Sequence, residues 1–249
     1  MVLENFSLQG KKAIVTGASR GLGLAIAIGL SKAGSDVVIT GRNQKSLEAS
    51  ASNFDRKPIC IEMDVSNVIS CQAGINEATN ALGGLDILIN NAGVEQVSPA
   101  LGVTEDLWDK IHNTNLKGAF FAAQAAARVM QGGSILNICS LTSERGIPTA
   151  VPYGASKSGL AGMTKALAVE WAPLNIRVNA LEPGYFRTTL TESFYQSADW
   201  QEAMLAKIPL DRFGELNDVV GAAVFLSSPA ASYITGICLP VDGGTLAAL

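Results

Sequence analysis

Short apolar runs alternate with stretches of helical periodicity almost from one end of the chain to the other. Residues 12–16, 36–40, 59–63, 86–89, 134–138, 176–180 and 237–241 read as strands. Helices are expected at 21–32 with Gly34 as the stop, 44–52, about 67–82, about 104–130, 153–171 ended by Pro173, and 216–226. Strands that are apolar without alternation are covered on both faces, which marks a parallel sheet. With a helix after nearly every strand and right-handed crossovers, the fold class is α/β: a doubly wound, mostly parallel seven-stranded sheet with helices on both faces. In such a sheet the ligand lies beyond the carboxyl ends of the strands. Chemistry is therefore to be sought in the residues that follow each strand.

Composition narrows the field. No linker, charge block or repeat divides the 249 residues, so one domain over 1–249 is expected. A net charge of −4 without any Lys/Arg cluster excludes nucleic acid and acidic membrane surfaces as expected partners. One histidine, His112, and four scattered cysteines give no metal-ligand spacing, and no metal is expected. The opening ten residues hold no apolar signal core. The segment 219–241 is long and uncharged, but Ser227, Ser228, Pro229, Gly236 and Pro240 break it into a helix, a turn and a strand rather than a membrane span. A cytoplasmic protein without membrane attachment is the expectation.

Candidate chemistry begins directly after the first strand, at Thr16-Gly17-Ala18-Ser19-Arg20-Gly21-Leu22-Gly23. Gly17 permits the sharp turn, Gly21 the approach of backbone to a pyrophosphate, and Gly23 close packing of helix on strand. A glycine triplet alone is only a tight turn; one that follows a strand and opens a helix reads as the dinucleotide site of a Rossmann fold. At the end of strand two, where a ribose-binding acid belongs, the chain reads Thr40-Gly41-Arg42-Asn43. An acid would repel a 2′-phosphate, whereas Arg42, with Arg20 beside it, would welcome one. NADP(H) is thus expected ahead of NAD(H), although Arg42 is also what an ordinary solvated helix start looks like.

Tyr153 and Lys157 stand four apart on an expected helix and so project from one face. An ammonium one turn away, together with the positive nicotinamide ring of an oxidised cofactor, would lower the pKa of the phenol and make it an acid–base group. Ser140, at the end of strand five, is placed to hold a carbonyl oxygen. The set of motifs resembles the short-chain dehydrogenase/reductase family almost end to end. It comprises the glycine loop, Asp64-Val65, Asn90-Asn91-Ala92-Gly93, Asn115, Ser140, Tyr153, Lys157, Pro183-Gly184 with Thr188, and Val241-Asp242-Gly243-Gly244. The resemblance implies that Tyr153 is the general acid in reduction and the base in oxidation. It implies that Lys157 binds the nicotinamide ribose and lowers the tyrosine pKa, Ser140 orients the substrate oxygen, and Asn115 holds a water on the proton path. Gly17, Ser19, Arg20, Gly21, Leu22, Gly23 and Arg42 would meet the phosphates, and Asp64 and Val65 the adenine. Asn91, Ala92 and Gly93 would meet the adjacent ribose and the sheet, and Thr188 the carboxamide, with Pro183 and Gly184 also in the cofactor site. Two readings stay open: Asn91 as a tie between strands, and Asn115 as a helix-kink residue.

Substrate choice falls to a lid at about 189–207, where Phe194, Tyr195, Trp200, Met204 and Leu205 offer an apolar cover. Details of 137–144, 183–191 and 6–11 are similar to the gluconate 5-dehydrogenase branch of the family, which implies a keto-sugar acid such as 5-ketogluconate, its carboxylate held by Arg145 or Arg187. The expected reaction is reversible hydride transfer between nicotinamide and a secondary alcohol or ketone. A ketoacyl reductase is the alternative, lacking here the basic patch a carrier protein needs; a non-catalytic nicotinamide sensor would not need Tyr153 and Lys157. Glu95, Glu182, Arg145 and Arg187 flank motif positions and could line the substrate cleft, but read more simply as surface charges; His112 reads as an ordinary helix residue, and Trp108, Trp171 and Trp200 as packing or interface residues. Charged residues are only 16% of the chain, and two helices, 106–130 and 153–171, are rich in small residues all round. The resemblance to the family implies a homotetramer, which both features allow, to be broken by Gly159→Trp.

Overall fold

Strands and helices alternate in the computed structural model, which describes residues 2–188, 191–192 and 194–248. In chain order they are β1 (Lys12–Val15), α1 (Gly21–Lys32), β2 (Asp36–Gly41), α2 (Gln44–Ala51), β3 (Ile59–Glu62), α3 (Val68–Leu82), β4 (Ile87–Asn90) and α4 (Glu105–His112). Then follow α5 (Ala119–Val129), β5 (Gly133–Ile138), α6 (Val151–Trp171), β6 (Ile176–Pro183), α7 (Ala198–Leu205), α8 (Leu216–Ser227) and β7 (Cys238–Val241). The strands form one seven-stranded sheet in the order β3-β2-β1-β4-β5-β6-β7. Every pairing in it is parallel, so "mostly parallel" becomes wholly parallel.

The apolar strand runs are explained by what covers them. Val15, Ile39, Ile89 and Leu181 pack on one face against α1 and α8, through Ile26, Leu30, Val219 and Leu226. Ile14, Val38, Leu88 and Val178 pack on the other against α3, α5 and α6, through Ile75, Ala122 and Leu167. The exposed strand residues lie on the two edges, among them Ile59, 39% exposed, on β3 and Pro240 on β7. The segment 219–241 folds as a helix, a short 3-10 turn and a strand, and no helix among the described residues is long and apolar enough to cross a membrane.

Three differences from the sequence-based expectation bear on the site. The helix expected over 104–130 is interrupted by a π-helical segment, Asn113–Gly118, which divides it into α4 and α5. There the Asn115 side chain is drawn out to a neighbouring loop, and Gly118 lies against the main chain of Val65, where a Cβ would come within 2.7 Å of its carbonyl oxygen. Strand β6 continues to Pro183 and so reaches the cavity, beyond the expected end at residue 180. Helix α7 was not foreseen; Ser197 caps it by accepting from the Trp200 amide at 3.2 Å.

Candidate active site

The strand order reverses direction between β1 and β4, and the loops after these two strands part to form a crevice. Thr16 ties them: its hydroxyl accepts from the amides of Asn91 and Ala92, each at 3.0 Å. Asn91 returns the contact, its Nδ2 donating to the Thr16 and Gly17 carbonyls at 2.9 and 3.0 Å. The side chain of Asn91 is thus the strand tie that its sequence position left open. Gly17 turns the chain with φ +63°, and a Cβ there would stand 2.7 Å from the Ala92 Cα. Gly17→Ala therefore carries both left-handed strain and a backbone clash. A fall in melting temperature of several degrees, together with weakened cofactor binding, is expected in calorimetry and titration; an unchanged melting curve would contradict the role given to this turn.

Helix α1 opens straight onto the crevice. Its N-cap residue, Arg20, makes no side-chain cap, and no acid stands in its first turn. By contrast α2, α3, α4 and α7 are each closed by an accepting side chain, Asn43, Asn67, Thr104 and Ser197. The free N–H groups and positive end of α1 fit the phosphates of a dinucleotide. Arg20 and Arg42 stand exposed at this rim, and neither forms an ion pair with the described residues. Asp64, at the end of β3, uses Oδ1 to accept from the Ser66 amide and hydroxyl at 2.9 and 2.7 Å, which fixes the wall formed with Val65.

At the opposite end, β5 and α6 bring Ser140, Tyr153 and Lys157 together. Ser140 begins a 3-10 turn, its Oγ accepting from the Thr142 amide at 3.2 Å. Lys157, only 4% exposed, donates from Nζ to the Ile138 carbonyl at 2.6 Å and lies 5.6 Å from the Tyr153 ring centre. Its pKa is lowered by burial, against the opposing pull of Cys139 and Glu95. The polypeptide by itself does not lower the Tyr153 pKa as the sequence suggested. Burial pushes the phenol up, Glu95 and Cys139 add to the rise, and only the Ser140 hydroxyl acts downward. The phenol of Tyr153 is therefore held protonated.

Asn115 lies behind this group rather than on the cavity wall, 1% exposed. Its Oδ1 accepts from the Val94 amide at 2.8 Å, and its Nδ2 donates to the Val94 carbonyl at 2.9 Å and to Ser156 Oγ at 3.2 Å. The side chain thus clamps the loop after β4 to α6. The other site residues expected from sequence all line one cavity of about 700 Å³: Gly17, Ser19, Arg20, Gly21, Leu22, Gly23, Arg42, Asp64, Val65, Asn91, Ala92, Gly93, Ser140, Tyr153, Lys157, Pro183, Gly184 and Thr188. Phe194, Tyr195, Trp200 and Met204 close its far side, with Trp200 packed on Tyr185, Phe194, Tyr195 and Phe213, whereas Leu205 does not reach it. Of the expected lid, Thr189, Leu190 and Ser193 lie outside the described residues.

Several charges are placed differently from their sequence reading. Arg187 spends its guanidinium on Glu192 at 2.7 and 3.0 Å, and Arg145 donates to the Ala248 carbonyl at 2.6 Å. Neither lines the cavity, so neither is positioned to hold a substrate carboxylate. Glu182 is not a surface charge: it is 2% exposed, and burial, with Glu144 nearby, raises its pKa to about 6. Glu95 is not one either, since it lines the cavity beside Tyr153 and Lys157. Its place two residues after Gly93 was the signal, but the direction of its side chain is set by tertiary contacts.

The family whose model matches residues 17–245 is described as Enoyl-(Acyl carrier protein) reductase. The gluconate 5-dehydrogenase of Gluconobacter oxydans is 40% identical, with 98% of each chain covered. The 2-dehydro-3-deoxy-D-gluconate 5-dehydrogenase of Dickeya dadantii is 39% identical over 99% of this chain and 100% of that one. Among solved structures, one from Sinorhizobium meliloti 1021, provisionally named a short-chain alcohol dehydrogenase, is 55% identical with a TM-score of 0.96, covering 98% of this chain and 100% of its own. A gluconate 5-dehydrogenase from Burkholderia cenocepacia, solved with NADP and tartrate, is 36% identical with a TM-score of 0.97 over the whole of both chains. A match of this length, on a sheet and crevice of this form, places the chain in the short-chain dehydrogenase/reductase family.

Proposed function

We propose that this chain is an NADP(H)-dependent oxidoreductase that interconverts a ketone and a secondary alcohol. The observation that carries the reading is the two-ended cavity, with Arg20, Arg42 and the uncapped start of α1 at one end and Tyr153, Ser140 and Lys157 at the other. NADP(H), when bound, supplies the hydride for reduction and takes it back in oxidation. The amides at the start of α1 hold the pyrophosphate, Arg42 and Arg20 the 2′-phosphate, and Lys157 the ribose beside the reacting ring. Ser140 holds the carbonyl oxygen, and Tyr153 gives that oxygen its proton as the alcohol forms. A phenol that burial keeps protonated suits this acid half of the cycle. Aromatic side chains of 194–204 cover the substrate and exclude water, as a lid.

Relatives named for gluconate 5-dehydrogenation and 5-keto-D-gluconate reduction support a keto-sugar acid as the substrate class. Purified protein offered a panel of ketones and sugar acids with NADPH and NADH, followed by nicotinamide absorbance, tests the reading. Turnover with NADPH on polyhydroxy ketones is expected; no turnover on any ketone would overturn it.

The homotetramer belongs to the same proposal, with a changed probe. Ala122, Ala123, Ala125 and Ala126 of α5 are buried within the protomer, and a Cβ on Gly159 would meet Leu116 of the same chain at 2.9 Å. The small residues left outward on α6 form one stripe, Val151, Ala155, Ser158, Gly162, Ala166 and Val169, and Gly162 faces open space. A dimer-sized patch of roughly 800 Å² per partner fits such a stripe. Gly162→Trp, rather than Gly159→Trp, is expected to break the assembly without unfolding the protomer. Sedimentation would show wild type near four times 25.9 kDa and the variant smaller; wild type at 25.9 kDa would end the proposal.

A further inference from the structure

The acids that line the cavity among the described residues are Asp64 and Glu95. Asp64 is engaged with Ser66 at the adenosine end. Glu95 stands at the reacting end, where its charge acts on both Tyr153 and Lys157. The loop that carries it is pinned on both sides: Asn115 holds the amide and carbonyl of Val94, and the Ser98 amide donates to the Thr149 carbonyl at 2.9 Å. The carboxylate itself accepts no hydrogen bond from the described residues, and burial raises its pKa while Lys157 opposes the rise. A half-buried carboxylate without a donor is costly, and its remaining open side is the cavity, where a ligand can supply one. Arg145 and Arg187 are engaged elsewhere, and the cavity-lining cation on the side of the aromatic cover is Lys207.

We infer that Glu95 is a specificity-determining residue that accepts a hydrogen bond from a hydroxyl on the carbon next to the reacting carbonyl and excludes substrates in which that neighbouring carbon is itself a carboxylate. The inference rests on the assignment of Tyr153 as the proton donor to the carbonyl. It narrows the substrate class to hydroxyketones, including sugar acids only where the ketone is remote from the acid group. Two carboxylates about 5 Å apart at an effective dielectric of about 20 repel strongly enough to disfavour the wrong arrangement on the order of a hundredfold.

Matched pairs test this: hydroxyacetone against pyruvate, and 1-hydroxy-2-butanone against 2-oxobutanoate. In each pair the carbonyl is flanked by a hydroxyl-bearing carbon in the first member and by a carboxylate in the second. Wild type is expected to favour the first member of each pair in kcat/KM by about a hundredfold. Glu95→Gln keeps the acceptor but loses the charge, so it should narrow the preference by about tenfold or more; the lost charge also acts on Tyr153 and Lys157, but on both members of a pair alike, so the ratio is the readout. Glu95→Ala loses both and should lower hydroxyketone kcat/KM by about tenfold, with the dissociation constant for NADPH unchanged in either variant. A wild-type ratio near unity, or a ratio that Glu95→Gln leaves unmoved, overturns the inference. Tyr153→Phe run alongside separates the two levels. If it abolishes turnover while Glu95→Gln changes no ratio, only the role of Glu95 fails. If Tyr153→Phe stays active, the assignment of the site fails and the role of Glu95 with it.

Discussion

Tyr153→Phe is expected to lower kcat for ketone reduction by roughly a hundred- to ten-thousandfold, the usual weight of a positioned general acid. The dissociation constant for NADPH should stay within about threefold, since the phenol makes no phosphate contact. The ring remains, so the packing against Lys157, whose Nζ lies 5.6 Å from the ring centre, is kept. Lys157→Ala should behave differently, losing turnover and cofactor affinity together. It removes a buried ammonium bonded to the Ile138 carbonyl as well as the proposed contact to the nicotinamide ribose. Single-turnover absorbance and fluorescence titration of NADPH measure the two quantities separately. Phe at position 153 with activity within a few-fold of wild type would show that the proton comes from elsewhere.

The second large effect concerns the cofactor. Arg42→Ala should raise the KM for NADPH by roughly ten- to a hundredfold and leave that for NADH nearly unchanged, because a charge-assisted hydrogen bond is lost to the one and none to the other. Gly41→Asp should reverse the preference by setting a carboxylate against the 2′-phosphate. The site accepts the substitution sterically: a Cβ on Gly41 would first meet the terminal Cδ2 of Leu47, at 3.4 Å, and the backbone there is not left-handed. Steady-state kinetics with both cofactors decide the matter. A wild-type enzyme that prefers NADH, or an Arg42→Ala variant that loses both cofactors equally, would refute the role of Arg42.

What could be seen in advance was what short stretches of chain determine by themselves. The glycine turn, the acid-free end of β2 with Arg42 after it and the four-residue spacing of Tyr153 and Lys157 are local features, and the structure sets them around one cavity. The sheet was legible because apolar runs without alternation need cover on both faces. The failures are of another kind. A π turn cannot be read from 113–118, because it arises where Asn115 is drawn to Val94 and Gly118 to Val65, contacts between distant parts of the chain. Arg187 is a different case: its position suits a substrate carboxylate, and it is Glu192, only five residues on, that takes its guanidinium. Gly159 and Gly162 look equivalent in the sequence, and only the presence of Leu116 over the first tells inward from outward.

The uncapped start of α1 has a consequence for the life of the protein. Where α2, α3, α4 and α7 are finished by their own side chains, this helix would, under the proposed function, be finished by its ligand, so that part of the folded state would be held outside the polypeptide. Stability and occupancy are then linked by mass action: saturation at a hundred times the dissociation constant adds about 2.7 kcal/mol, and depletion of the ligand removes it. The fraction of molecules open to proteolysis would therefore follow the free dinucleotide pool. In a cell short of that pool, the enzyme would lose abundance as well as substrate turnover.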